Sequence, residues 1–134
     1  MNRIPTKALT FVLLIITTLV LSVQCSSKFA HGKRAYNKYC ADCHMEDGNG
    51  VGEIYPSLLR SNYTSDTESL PCIIKHGFND TSTVMQMNPV EGISDIDITN
   101  IINYLSSDLL GKTEEVQIQD IQKIIESCDT NPVQ

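Results

Sequence analysis

The sequence contains no tryptophan and few other aromatic residues, with five tyrosines and three phenylalanines among 134 residues. A chain of this length has room for one domain. Because large apolar side chains are scarce, the hydrophobic core of that domain must be small. A small core stabilises a fold only weakly, so this composition favours a domain that gains stability from a cross-link or an attached group.

The sequence also lacks internal repeats, and no alternation of apolar and polar residues is long enough to build a sheet. Apolar residues recur instead at helical spacing, which predicts an all-α fold. We expect four helices, over residues 26–40, 69–77, 94–107 and 114–127. Their expected N-caps are Ser26 or Ser27 for the first, Ser94 for the third and Thr113 for the fourth. Gly77 is the expected C-terminal stop of the second helix.

The motif that carries chemistry is Cys40-Ala41-Asp42-Cys43-His44. Two thiols three positions apart at the end of a helix can both reach the vinyl groups on one edge of a porphyrin and form thioether bonds. The histidine that follows then lies under the ring centre, where an imidazole nitrogen can bind iron. The spacing therefore predicts one covalently attached c-type haem, held by Cys40 and Cys43, with His44 as the proximal ligand.

Two other kinds of site use a pair of cysteines at this spacing. A thioredoxin-like redox dithiol would require a strand before the motif and alternating strands and helices around it. A structural zinc site would require a second pair of cysteine or histidine ligands at similar spacing. Since the sequence shows neither context, haem attachment is the favoured interpretation.

The charge of the chain is acidic, with 16 acidic and 10 basic residues and a formal charge of −6. The first 24 residues contain two basic residues and no acidic one, so the remainder holds 8 basic against 16 acidic residues, a charge of −8. This excess argues against nucleic acid as a partner and against electrostatic adhesion to anionic lipid. It suits docking on the basic face of another protein.

The N-terminal 24 residues have the pattern of an export signal, in which Arg3 and Lys7 precede an apolar run from Ala8 to Val23. The run is short for a membrane-spanning helix of about 20 residues, which favours a cleaved signal over a permanent anchor. Cys25 follows the run and resembles the acylated first residue of a bacterial lipoprotein. Gln24 stands where that pattern usually has a small residue, so plain secretion and an uncleaved anchor stay open. Each alternative places the folded part outside the cytoplasm.

Five cysteines are present, and haem and lipid would take three of them. The remaining pair, Cys72 and Cys128, can oxidise to a disulfide in an exported protein. In the chain-entropy model, closing a loop of this length stabilises the fold by roughly 4 kcal/mol. The alternative is two buried free thiols, and the disulfide is favoured by redox compartment rather than by geometry.

The sixth iron ligand decides between electron transfer and chemistry at an open iron. Met85 and Met87 are candidates because they lie in a polar, irregular segment where core packing does not require methionine. Met87 is favoured because Pro89 and the next predicted helix follow closely, and Met85 is the alternative. His31, expected on an exposed helix side, and His76, expected at a helix end, are weaker rivals.

Together these features resemble a class I cytochrome c, the small monohaem form, over Phe29 to Leu105. The matching residues are Gly32 and Tyr36, Cys40, Cys43 and His44, Gly48 and Gly50, Tyr55, Pro56 and Leu58, Met87 and Pro89, and Ile101 and Tyr104. The resemblance implies a small all-α fold of about four helices wrapped around one covalently attached haem. In that fold the first and last helices cross, which would place Gly32 beside Ile101 and Tyr104.

The resemblance also implies roles for residues around the haem. Pro56 would offer its carbonyl to the proximal histidine, a contact that sets the tautomer and basicity of the imidazole. Pro56 and Leu58 would both belong to the haem-binding residues. The family commonly has proline directly after the ligand methionine, whereas here Asn88 separates Met87 from Pro89. This departure keeps the choice between Met85 and Met87 open.

These observations predict an electron carrier rather than an enzyme. We expect His/Met ligation of one haem c, and transfer of single electrons between redox partners such as a terminal oxidase or a quinol-oxidising complex. The alternative is a haem-containing subunit or domain of an oxidoreductase with an open sixth site. The expected location is the periplasmic side of a bacterial membrane, where the protein would be a monomer attached through an N-terminal lipid or anchor.

The expected organisation of the chain has four parts. Residues 1–24 form a signal peptide and residues 25–28 a linker to the lipid anchor. Residues 29–110 form the cytochrome c domain. Residues 111–134 form a C-terminal helical extension packed on the domain, which resembles an extension of some membrane-attached bacterial cytochromes.

Overall fold

The computed structural model describes residues 6–21, 28–79 and 86–128, and their regular structure is helical. The α-helices of these residues are α1 (Thr6–Leu21), α2 (Ala30–Tyr39), α3 (Ala41–His44), α4 (Ser69–His76), α5 (Asp95–Tyr104) and α6 (Ile118–Ser127). A 3-10 turn at Tyr63–Ser65 precedes α4, and a π-helical turn at Leu105–Leu109 continues α5. Since no strand occurs in the described residues, the predicted all-α class is confirmed.

Helix α1 contains the apolar run of the N-terminus. Its large side chains from Phe11 to Ile16 are exposed, with Phe11 at 74%. In the described ranges, no helix combines the length and the apolar character needed to cross a membrane. The prediction of a lipid on Cys25 falls outside the described residues.

The core forms where α2 packs against α5. Tyr36 of α2 is fully buried, and its ring centre lies 5.4 Å from that of Tyr104 on α5. Gly32 lets the two helices approach closely, because a methyl carbon there would overlap the carbonyl oxygen of Asn100 and come within 2.6 Å of Cβ of Tyr104. Tyr104 is therefore a neighbour of Gly32, as the resemblance implies. The other close atoms belong to Asn100, and Ile101 lies buried in the same core.

Helix α2 begins later than the sequence predicts. Its first residue is Ala30, and Phe29 occupies the N-cap position without a side-chain hydrogen bond. The expected caps at Ser26 and Ser27 lie outside the described residues. The half-buried side chain of Phe29 packs against the core, so packing fixes this helix start where capping does not.

Helix α4 follows the prediction closely. It begins at Ser69, buries Ile73 and Ile74, and has Pro71 in its first turn, where a missing backbone N–H costs no hydrogen bond. The helix ends at His76, and Gly77 then adopts a φ of 85°. Glycine takes this left-handed conformation without steric cost, which explains the stop.

Helix α5 begins as predicted, with Ser94 as its N-cap. The Ser94 hydroxyl oxygen accepts a hydrogen bond of 3.1 Å from the backbone N–H of Asp97. The α-helix ends at Tyr104, three residues before the predicted end at Ser107. The wider π-helical turn follows, closed by a bond of 2.9 Å from the N–H of Leu110 to the carbonyl of Leu105.

Replacing Ser94 with alanine is expected to lower the free energy of unfolding by about 1 kcal/mol, because the N–H of Asp97 loses its acceptor. Denaturant unfolding of the variant and the parent protein measures the difference. Ser94→Thr is the matched control, since its hydroxyl can also accept from the N–H of Asp97 and donate to the Asp97 carboxylate. Equal stability of the alanine variant and the parent would contradict a stabilising role for this cap.

Helix α6 begins at Ile118 rather than at Glu114, so the predicted start and the Thr113 cap are wrong. The reason is a contact with the α5 side chain of Asn103. Its amide donates to the carbonyl of Val116 at 3.1 Å and accepts from the N–H of Val116 at 2.9 Å. These two bonds take up both backbone polar groups of Val116 and hold it outside a helix.

Helix α6 itself packs on the domain. Ile121 is fully buried, and Ile124 and Ile125 lie half-buried against the core. Beyond its last turn, Cys128 is bonded to Cys72 of α4, with 5.7 Å between the Cα atoms. That separation is ordinary for a disulfide.

Candidate functional site

The predicted haem cysteines lie at the junction of α2 and α3. The chain leaves α2 at Cys40 and enters the single turn of α3, closed by a bond of 2.9 Å from the N–H of His44 to the carbonyl of Cys40. Cys40 and Cys43 are therefore one helical turn apart, and both are half-buried. Burial, with a smaller contribution from Cys43, raises the pKa of the Cys40 thiol to about 12. In this structure the sulfur of Cys40 is a neutral, partly covered group rather than a reactive thiolate.

His44 is oriented by a backbone carbonyl. Its Nδ1 lies 3.0 Å from the carbonyl oxygen of Pro56, and because a carbonyl only accepts, Nδ1 carries the proton. Burial lowers the pKa of His44, while the bond to Pro56 acts in the opposite direction. The ring is thereby held neutral, and its other nitrogen, Nε2, keeps the lone pair that a metal requires.

A short loop brings the Pro56 carbonyl to this position. The N–H of Gly50 donates to the carbonyl of His44 at 3.0 Å, and the N–H of Leu58 donates to the carbonyl of Gly48 at 2.8 Å. A side chain at Gly50 would come within 2.7 Å of the Pro56 carbonyl oxygen. The loop therefore depends on close backbone contacts. Leu58 lies half-buried against the core.

The backbone of Met87 is fixed by pairing with Phe78, which lies two residues beyond the end of α4. Phe78 and Met87 form an isolated antiparallel bridge, with N–H to carbonyl distances of 2.8 and 3.0 Å. Met87 is half-buried, and the N–H of Val90 donates to the carbonyl of Ile74 at 3.2 Å. Met85 lies outside the described residues.

The two rival histidines lie on α2 and α4. His31 is exposed on α2, where its Nδ1 is 3.0 Å from a guanidinium nitrogen of Arg34. His76 is the last residue of α4 and is partly exposed. Among the described residues, no group of three or more histidine, cysteine, aspartate or glutamate side chains could hold a metal ion.

Thr64 is a residue that the sequence analysis missed. The residue is buried, with 3% of its surface exposed to solvent, and its hydroxyl has no hydrogen-bond partner among the described residues. A buried hydroxyl without a partner is unfavourable. It is the kind of group that the polar edge of a bound molecule can satisfy. A threonine in a turn gives no pattern from which this could be predicted.

The residues present fit a c-type haem in their chemistry. Two cysteine sulfurs one turn apart suit thioether bonds, and the neutral imidazole of His44 has Nε2 available for iron. The thioether of Met87 is a soft ligand of the kind that binds haem iron.

Two comparisons with known proteins agree with this chemistry. Residues 27–105 match the family model described as "Cytochrome C oxidase, cbb3-type, subunit III". The chain is also 35% identical over 69 residues to a protein named cytochrome c-554(548) from Halomonas halodenitrificans. The aligned region covers 51% of this chain and 82% of that relative.

Proposed function

We propose that this chain, which belongs to the cytochrome c family, carries one covalently attached haem. It transfers one electron at a time between membrane redox complexes. Haem-based electron transfer follows from the family, whereas the ligands, the number of haems and the partners are our proposal. The contact of His44 with Pro56 carries it, because this bond leaves a neutral imidazole nitrogen available beside the two cysteines.

Each residue of the site has a definite task. Haem supplies reversible one-electron chemistry when it is bound. Cys40 and Cys43 would hold it through thioether bonds, and His44, oriented by Pro56, would bind the iron through Nε2. The sulfur of Met87 would be the second protein ligand of the iron, and methionine ligation excludes external ligands and raises the reduction potential. Such a site exchanges electrons without bond chemistry on a substrate.

The alternative is a subunit or domain of an oxidoreductase with an open sixth position. The matched family is described as an oxidase subunit, which supports a terminal oxidase as partner or parent complex. A reduced-minus-oxidised optical spectrum with and without carbon monoxide separates the two functions. A closed site leaves the spectrum unchanged by carbon monoxide, and an open site binds it.

Met87→Ala is expected to remove the methionine–iron absorption band and to allow carbon monoxide to bind, because the distal ligand is lost. Met85→Ala is the matched control, two residues away in the same segment, and should leave both properties unchanged. The opposite pattern would assign the ligand to Met85. If neither variant changes the spectrum, ligation by either methionine is refuted.

We further propose that the protein is exported and attached to the periplasmic side of a bacterial membrane. The signal-like pattern of residues 1–24 and the position of Cys25 support this. Residues 29–110 then form the cytochrome domain, and residues 111–134 an extension tethered by Cys72 and Cys128. Mass spectrometry of native protein tests the anchor, since an unmodified Cys25, or a chain that still begins at Met1, would refute lipidation after cleavage.

A further inference from the structure

We propose that the exposed face of α2 binds the surface of an anionic membrane. Three of the ten basic residues of the chain lie on this helix. After the signal-like segment, residues 25–41 contain four basic residues and no acidic residue, whereas residues 42–134 contain four basic and all 16 acidic residues. The acidic average over the folded part therefore hides a basic region at one end of the sequence.

The structure places three of these cations on one exposed helix. Lys33, Arg34 and Lys38 are exposed on α2, opposite the buried side that carries Gly32 and Tyr36. We call these three residues the basic face. Lys28 is excluded from it because its ammonium group forms an ion pair with Glu115.

A groove next to the basic face has the chemistry of a lipid interface. It encloses about 290 Å³ between α2 and α5 and is lined by the basic residues Arg34 and Lys38, by Tyr39, and by Ile96 and Asp97 of α5, among others. Ile96 is 59% exposed, an apolar side chain beside two cations. The Lys38 ammonium group lies 4.3 Å from the ring centre of Tyr39.

These contacts favour lipid as the occupant of the groove. Cations beside an apolar side chain and a tyrosine match the boundary between phosphate headgroups and acyl chains. Asp97 is the acidic residue that lines this groove, and it accepts a hydrogen bond of 3.0 Å from Ser94.

The lipid anchor proposed for Cys25 would keep the basic face near a membrane. Cys25 is three residues from Lys28 in the sequence, a span of at most about 11 Å for extended chain. With that attachment, the face would need little additional entropy loss to reach the headgroups.

Screening by salt determines whether the acidic residues elsewhere in the domain prevent contact between the basic face and the membrane. The Debye length is about 10 Å at 0.1 M salt, and a domain of 100 residues has a radius of gyration of about 13 Å. Charges on the far side are therefore largely screened from the membrane. Each basic residue near an anionic surface strengthens binding roughly fivefold, so three together favour the contact by roughly a hundredfold.

This orientation has a consequence that rests on the proposed function. Helix α2 ends directly before Cys40, so the basic face adjoins the haem attachment site. Contact of α2 with lipid would keep the attached haem close to the membrane plane. A partner embedded in the membrane would then receive electrons over a short distance.

The test measures how fast lysines of the full-length haem-loaded protein react with an amine-acetylating reagent on vesicles. Vesicles of phosphatidylcholine are compared with vesicles containing one third phosphatidylglycerol. We expect at least a fivefold slower reaction of Lys33 and Lys38 on the anionic vesicles, and no change for Lys112 and Lys123. The difference should vanish at high salt. Equal rates on both kinds of vesicle would overturn the proposal.

Two charge-matched double variants sharpen the result. Arg34→Glu with Lys38→Glu should restore the neutral-vesicle rate at Lys33, whereas Lys112→Glu with Lys123→Glu, with the same change in net charge, should leave Lys33 protected. Loss of protection in both variants would refute a local face. Slower acetylation of Lys33 and Lys38 that requires added membrane proteins and is equal on both kinds of vesicle would refute lipid as the partner. The basic face would then bind an acidic protein. Since no readout uses electron transfer, failure here is distinguishable from failure of the proposed function.

Discussion

Loss of the bond between Cys72 and Cys128 is expected to lower the free energy of unfolding by about 4 kcal/mol, the chain-entropy value for a loop closed over a separation of 56 residues. The change is a large part of the roughly 5 to 15 kcal/mol that typically stabilises a domain, from about a quarter to most of it. The double variant Cys72→Ser, Cys128→Ser in the haem-loaded protein measures it by guanidinium unfolding.

The C-terminal extension should remain folded at low denaturant in this variant. Ile121 is fully buried, and the two hydrogen bonds between Asn103 and Val116 do not depend on the disulfide. Removing the disulfide therefore lowers the free energy of unfolding chiefly because the unfolded chain gains conformational entropy when the cross-link is lost. Native spectra of the haem should be unchanged.

Single variants provide the internal control. Cys72→Ser and Cys128→Ser each break the same bond, so each should cost nearly as much as the double variant, and the costs should not add. Thiol labelling of the unreduced, unfolded protein should find both cysteines blocked. Labelling of both would refute the bond, and additive costs would show that the two side chains act by packing rather than as a pair.

Local signals predicted the fold where local chemistry decides the structure. Ser94 begins α5 because a side-chain oxygen three residues before an N–H is a sufficient cap. Gly77 ends α4 for an equally local reason, the positive φ of the following turn. The Cys40 to His44 spacing likewise indicates its chemistry within five residues.

The errors arise where a distant side chain decides the local structure. Thr113 has the sequence of a cap, yet α6 starts at Ile118 because Asn103, thirteen residues before Val116, binds both backbone groups of that valine. A pairing between helix and linker is a tertiary contact, and a single sequence does not encode it in any periodic pattern. The unpaired hydroxyl of Thr64 was missed for the same reason, since burial of one turn residue depends on the whole fold.

The His44 contact falls between these two cases. Nothing within the sequence states that a carbonyl twelve residues away will reach its Nδ1, and the expectation came from the resemblance to class I cytochromes c. The structure places the Pro56 carbonyl at 3.0 Å from that nitrogen. At Met87 a tertiary contact again fixes the backbone, through the bridge to Phe78.

Replacing Gly32 with valine is expected to destabilise the protein by roughly 3 kcal/mol, and replacement with alanine by 1 to 3 kcal/mol, as is typical of overpacked cores. The sign of the stability change in Gly32→Ala separates the effect of packing from that of helix propensity. Propensity alone predicts that alanine in place of a mid-helix glycine stabilises α2 by about 1 kcal/mol. Packing predicts the opposite, because the added carbon would overlap the carbonyl oxygen of Asn100.

The overlapping atom makes relief difficult. A carbonyl oxygen of α5 cannot rotate away as a flexible side chain can, so α2 and α5 must separate and loosen the tilted contact between the rings of Tyr36 and Tyr104. Thermal unfolding of the haem-loaded protein measures the loss, at about 4 to 8 °C for each kcal/mol in a domain of this size. Asn37→Ala is the matched control, because Asn37 is exposed on the same helix and its replacement changes propensity without adding a buried atom. Asn37→Ala should raise the unfolding temperature. If Gly32→Ala raised it as well, the explanation that close approach of α2 and α5 requires glycine at position 32 would be refuted.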